Sequence, residues 1–246
     1  MHQLTTTFVR RLRDRDEAAW FELWQVFGPV LRAQLSRWGG GRIGVETIRD
    51  LSQETLATLS RSIERFDPER GVRFSTWLLA IARHVLGDEL DRRGAAKRGS
   101  GRRAMSLGDR DPVSDLHVDA AYERRMFEAK VHAAIRRTES ESVFVAFQVY
   151  RMRIFDGRTG RLVAEQLDMS EATISRHLQS IRIVLREALE NVVAQWSFTP
   201  EERAEISRAG LAGDDRLFDE ALAEIYHSHE ARRRAEDAEA RSAGVS

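Results

Sequence analysis

"VAEQLDMSEATISRHLQSI", residues 163–181, sets two short apolar stripes on either side of a polar triplet. Val163, Ala164 and Leu167 close the first stripe, and "DMS", 168–170, turns the chain. Beyond the turn Ile174, Leu178, Ile181 and Leu185 fall at steps of four, three and four, which is one face of a helix. Ser170 is placed to cap that helix with its hydroxyl, and Asp168 tolerates the left-handed backbone of a tight turn better than most residues. Glu171, Ser175, Arg176, Gln179 and Arg182 are left pointing away from the core. A short helix, a three-residue turn and an apolar-backed helix with a polar front form the helix-turn-helix pattern. Such a front suits the major groove, where Arg and Gln contact base edges. A helical hairpin with a solvated face has the same pattern, so the rest of the chain must decide.

Upstream, Trp20, Leu23, Trp24, Phe27, Leu31 and Leu35 share one face of a helix over about 16–38. "GGGRIG", 39–44, ends it. Ile48, Leu51, Thr55, Leu59, Ile63 and Phe66 predict a second helix over about 46–66, and "DPERG", 67–71, breaks it. Trp77, Leu78, Ile81, Val85 and Leu90 predict a third over about 74–93. The composition then shifts. Residues 92–112 are rich in glycine and arginine and poor in large apolar side chains, as in an exposed linker. Further helices are predicted at about 118–137, 140–155, 160–167 and 171–195. Thr199 and Pro200 suit the cap and first position of another at about 200–209, with a last one at about 214–238.

The expected fold is therefore all-α: two helical domains joined by a flexible linker, the second with the helix-turn-helix, plus a helical C-terminal extension. Residues 1–93, 94–117, 118–196 and 197–246 are the expected divisions. Only four prolines and sixteen glycines argue against a turn-rich β fold. With no cysteine, disulfides and thiolate metal sites are excluded. No glycine-rich phosphate loop, histidine–carboxylate metal spacing or nucleophile motif is found, so no catalytic residue, metal ligand or cofactor is expected, and no enzyme. The longest apolar run near the centre is "WLLAIA", 77–82, far short of a membrane span. The N-terminus lacks the apolar core of a signal peptide, so a cytoplasmic location with no membrane partner is expected.

On the second helix Asp50, Gln53 and Glu54 lie off the apolar stripe and show an acidic, amide-bearing patch to solvent. The third starts with aromatics and ends in Arg92 and Arg93, types that grip single strands by stacking and phosphate contact. A buried core role for Phe74 and Trp77 fits the same pattern.

"DLSQE" (51–54 with Asp50), then "FDPERGVRFSTWLLAIAR" (66–83), then "DELDRR" (88–93) resembles promoter-recognition domain two of the bacterial extracytoplasmic-function sigma factors. "FDGRTGRLVAEQLDMSEATISRHLQSIRIVLREAL", 155–189, resembles their domain four, in the family's order and spacing. The resemblance implies a sigma factor that binds core RNA polymerase and promoter DNA. It implies that Asp50, Gln53 and Glu54 dock on the coiled coil of the β′ subunit. It implies −10 recognition and melting by Arg73, Phe74, Arg83, His84, Asp88, Arg92 and Arg93, with capture of a flipped base. In domain four it implies −35 recognition by Ser170, Glu171, Thr173, Ser175, Arg176, Gln179 and Arg182. An anti-sigma factor or another regulator is a further candidate partner, and no small-molecule substrate is implied. The rival reading is a helix-turn-helix regulator that is not a polymerase subunit; it leaves the Asp50–Glu54 patch without a task.

Basic and acidic side chains balance at 39 each, yet the sum conceals an asymmetry. From Glu201 to the end, twelve acids face seven arginines, a net −5, so the body carries about +5. Leu217, Phe218, Leu222, Ile225 and Tyr226 give that tail an amphipathic stripe that must pack somewhere. Either it restrains the DNA-binding body or it merely stabilises the second domain.

Overall fold

A computed structural model describes residues 2–67, 72–98, 119–197 and 199–243. Every regular element among them is helical: α1 (His2–Arg13), α2 (Glu17–Gly39), α3 (Val45–Ser62), α4 (Phe74–Arg98), α5 (Ala120–Glu141), α6 (Phe144–Tyr150), α7 (Gly160–Leu167), α8 (Glu171–Trp196), α9 (Pro200–Arg203), α10 (Glu205–Arg208) and α11 (Asp215–Ala243). The chain forms two compact units, and the division falls inside α5, after Met126. The expected linker lies mostly outside the described residues, as does most of the "DPERG" break; α4 runs on to Arg98.

In the first unit α1, not foreseen from sequence, buries Phe8, Val9 and Leu12. Asp16 caps α2 by accepting from the backbone N–H groups of Ala18 and Ala19, at 2.9 and 3.2 Å. Gly40 ends α2 with φ of 54°, a left-handed conformation that costs glycine little. Leu23, Phe27, Leu31 and Leu35 of α2 are buried, as is the predicted stripe from Ile48 to Phe66, although α3 ends at Ser62 and a 3-10 turn, Ile63–Arg65, carries its last part. Buried Thr55 satisfies its hydroxyl on the Leu51 carbonyl at 2.7 Å.

An aromatic cluster closes this core. Phe66 meets Phe74 edge-on at 5.3 Å between ring centroids and Trp77 at 5.0 Å, while Phe27 lies 6.3 Å from Phe74. The first turns of α5 also belong here, contrary to a boundary at residue 118. Tyr122 is fully buried and donates to the Ser75 carbonyl at 3.2 Å.

The second unit is organised around α8, whose Ile174, Leu178, Ile181, Leu185, Leu189, Val193 and Trp196 are buried. The predicted helix at 140–155 is two pieces: α6, then a π-helical turn at Arg151–Phe155 that stacks Phe155 on Tyr226 of α11, 4.1 Å apart. The residues after Ser197 are built into this unit. Thr199 and Glu202 form the reciprocal capping box of α9, with Pro200 in the first turn. Glu202 is also paired, in the core, with Lys130 of α5 at 3.6 Å. Further along α11, Arg232 pairs with buried Glu128.

His132 of α5 is 4% exposed and stacks on His229 of α11 with ring centroids 3.6 Å apart. Burial, then the neighbouring His229 and Arg136, push the His132 imidazole from 6.5 down to about 3, against the bond it makes to the Ile225 backbone. The folded ring thus stays neutral where the unfolded one takes up a proton. Stability is complete above pH 6.5 and is lost as the pH falls towards 3, by about 1.4 kcal/mol per pH unit for this one group. Urea unfolding at pH 7.5 and 5.5 checks this: the midpoint drops at the lower pH, and His132→Phe shows a shallower drop. Among the described residues no helix is long and apolar enough to cross a membrane.

Candidate nucleic-acid interface

Thr159 starts α7 by accepting from the Leu162 N–H, and Asp168 ends it in the left-handed region, φ 52° and ψ 50°. Met169 bonds back to the Ala164 carbonyl at 2.9 Å, which aims the chain into α8. Ser170 Oγ accepts from the Thr173 N–H at 3.1 Å and lies 2.9 Å from Thr173 Oγ1. Both hydroxyls therefore serve the helix start. Beyond the cap, Glu171, Ala172, Ser175, Arg176 and Gln179 are exposed together. Arg176 rests on the Ala172 carbonyl and on Thr173 Oγ1, at 3.3 and 3.2 Å, which points its guanidinium along the helix. Ile183, overlooked in the sequence, extends this front with 67% exposure.

Arg182 departs from the expectation. It is on the flank of α8 and its side chain is 18% exposed, because α11 covers it. Asp219 accepts from its Nε at 3.1 Å and from its Nη2 at 2.6 Å, and Asp215 from its Nη1 at 3.3 Å. The hydrogen bond to Asp219 raises the arginine's pKa further. Arg186, one turn on and also unforeseen, reaches Asp215 at 3.3 Å and lies 4.1 Å above the buried Phe218 ring. The i,i+4 spacing of the two arginines was visible in the sequence. Their acidic cover, some thirty residues away, was not.

In the first unit Asp50, Gln53 and Glu54 are exposed on α3. Glu54 bonds Arg61 at 2.8 Å, a surface pair. On α4 Arg83 is exposed, and His84 lies 3.3 Å from Asp88 one turn later. Arg92 is 74% exposed and touches Glu89 at 2.5 Å. Arg93 is more firmly held, by Glu89 at 2.6 Å and Thr47 Oγ1 at 2.8 Å.

Two of the residues expected to meet DNA are turned inwards instead. Phe74 is 1% exposed in the aromatic core, because its ring fills the space between Phe27, Phe66 and Trp77. Arg73 bonds Glu123 at 2.6 Å and is partly buried there. The structure thus gathers Arg83, His84, Asp88 and Arg92 on α4 and does not bring Phe74 to the same surface.

Residues 23–96, which span most of α2 and all of α3 and carry nearly to the end of α4, match the family model for Sigma-70 region 2. This chain therefore contains a stretch similar to Sigma-70 region 2. The ECF RNA polymerase sigma factor RpoE of Cereibacter sphaeroides is 36% identical to it over 77 residues, 31% of this chain and 40% of that protein. The chain thus aligns with less than half the length of that curated relative. The matched region holds the exposed α3 patch and the polar face of α4.

Proposed function

We propose that the chain is a sigma factor, which joins core RNA polymerase and directs initiation at its own set of promoters. The observation that carries this reading is the region 2 match over residues 23–96, because that stretch contains a solvent-facing carboxylate–amide patch which no other reading employs. Asp50, Gln53 and Glu54 dock on the β′ coiled coil, where carboxylates and an amide suit basic partner helices. Arg83, His84, Asp88, Arg92 and Arg93 line the path of the −10 element on α4. Phe74 and Arg73 shape that segment from beneath. Glu171, Ser175, Arg176 and Gln179 read the −35 element in the major groove, with Ser170 and Thr173 fixing the helix end that enters it. Arg182 belongs to that face only when its acidic cover is lifted.

Arg176→Ala and Gln179→Ala provide the test of the −35 assignment. Each should weaken binding to a promoter duplex by about 1–3 kcal/mol and blunt discrimination between a matched and a mutated −35 site. Both side chains are exposed, so thermal stability should stay within about 0.5 kcal/mol of the parent. Equal affinity of parent and variants for both duplexes would refute the assignment. A regulator that is not a polymerase subunit would pass this test but would not associate with the core enzyme.

A further inference from the structure

We infer that α11 is an internal competitor for DNA: Asp215 and Asp219 occupy the guanidinium groups of Arg182 and Arg186 that otherwise hold the DNA backbone beside the reading face of α8. This inference rests on the proposal that α8 faces DNA, and concerns the control of that same surface.

Three observations support it. First, the contact has the chemistry of a phosphate clamp. Asp219 accepts from Arg182 with both carboxylate oxygens, Oδ1 from Nε at 3.2 Å and Oδ2 from Nη2 at 2.6 Å, the fork geometry that arginine uses for carboxylate and phosphate alike. Second, Asp219 is built in rather than incidental. It is 8% exposed, and the buried Tyr150 hydroxyl donates to its Oδ1 at 2.8 Å. Third, Asp215 is 57% exposed and bridges Arg182 and Arg186, both at 3.3 Å, so the outer half of the clamp is open to exchange. A surface pair of this kind contributes little to stability and is screened by salt. DNA, with one charge per about 1.7 Å of duplex, outcompetes it once the flank is presented. The tail's net −5 lies on the same segment, which lowers the affinity of this unit for any polyanion until α11 yields.

The test uses the full chain. Asp215→Asn, Asp219→Asn and the double variant are each compared with the parent for binding to a −35 duplex at 50 and 200 mM salt, with thermal melts alongside. The inference expects tighter binding for Asp215→Asn and, where both acids are neutralised, a salt slope steeper by about 0.9 per arginine released. Two released arginines make the affinity fall roughly tenfold more than the parent's between the two salt concentrations. Asp215 is exposed, so that variant carries the test even if Asp219→Asn, which touches buried Tyr150, fails to fold. A purely structural α11 gives lower melting temperatures with unchanged affinity and slope, and this overturns the inference. If the parent binds the −35 duplex, Arg176→Ala weakens it and Asp215→Asn changes nothing, the inference alone falls. If neither parent nor any variant binds the duplex, it falls together with the DNA-reading proposal.

Discussion

Phe74→Ala should destabilise the first unit by about 3–5 kcal/mol, a loss large enough to abolish activity through unfolding. Its ring is 1% exposed and touches Phe27, Phe66 and Trp77, so truncation removes aromatic contacts on three sides and leaves a cavity in the seam between α2 and α4. The tryptophan beside the cavity makes the change visible in urea unfolding followed by fluorescence. Phe74→Leu, which keeps most of the volume, should recover more than half of the loss. A Phe74→Ala chain as stable as the parent but altered in −10 base preference would show instead that the ring leaves the core to meet DNA.

Charge reversal on α3 should have the second large effect. Asp50→Arg with Glu54→Arg puts two positive charges where the proposal needs carboxylates facing basic helices. Removing one partner of a buried charge pair at an interface costs about 2–5 kcal/mol, or roughly 30-fold to 4,000-fold in affinity, so association with core polymerase should fall at least that far. Folding should be spared. Both residues are exposed, and the ion pair lost among the described residues, Glu54 with Arg61, is on the surface and worth under about 1 kcal/mol. Sedimentation or surface capture of core enzyme reports the first quantity, and a thermal melt the second. Undiminished association would remove α3 from the docking surface.

Where the sequence was informative, the signals were local. The bounds of α7 and α8 were legible almost to the residue because Asp168 and Ser170 mark the turn by their own backbone and side-chain chemistry. Thr199 as a cap with Pro200 after it was legible for the same reason. The α1 helix was missed because "TTT", 5–7, has poor helix propensity and only Phe8, Val9 and Leu12 carry its apolar face. The π-helical turn at Arg151–Phe155 was missed because the stacking partner of Phe155 is Tyr226, seventy-one residues away. Helical periodicity likewise places Arg182 off the core stripe but says nothing of the helix that covers it. Phe74 shows the converse: an aromatic at the start of a helix serves a core and a base-binding surface equally well in sequence, and only its neighbours in space separate the two.

The central claim is that this chain turns core RNA polymerase into a promoter-specific enzyme. Its most direct test is run-off transcription with purified core polymerase on a library of genomic promoter fragments, with and without the chain. The account predicts new, discrete start sites that depend on the chain, share −35 and −10 sequences, and vanish with the Asp50/Glu54 reversal. Transcripts identical with and without the chain, from a protein that melts as a folded species, would contradict it.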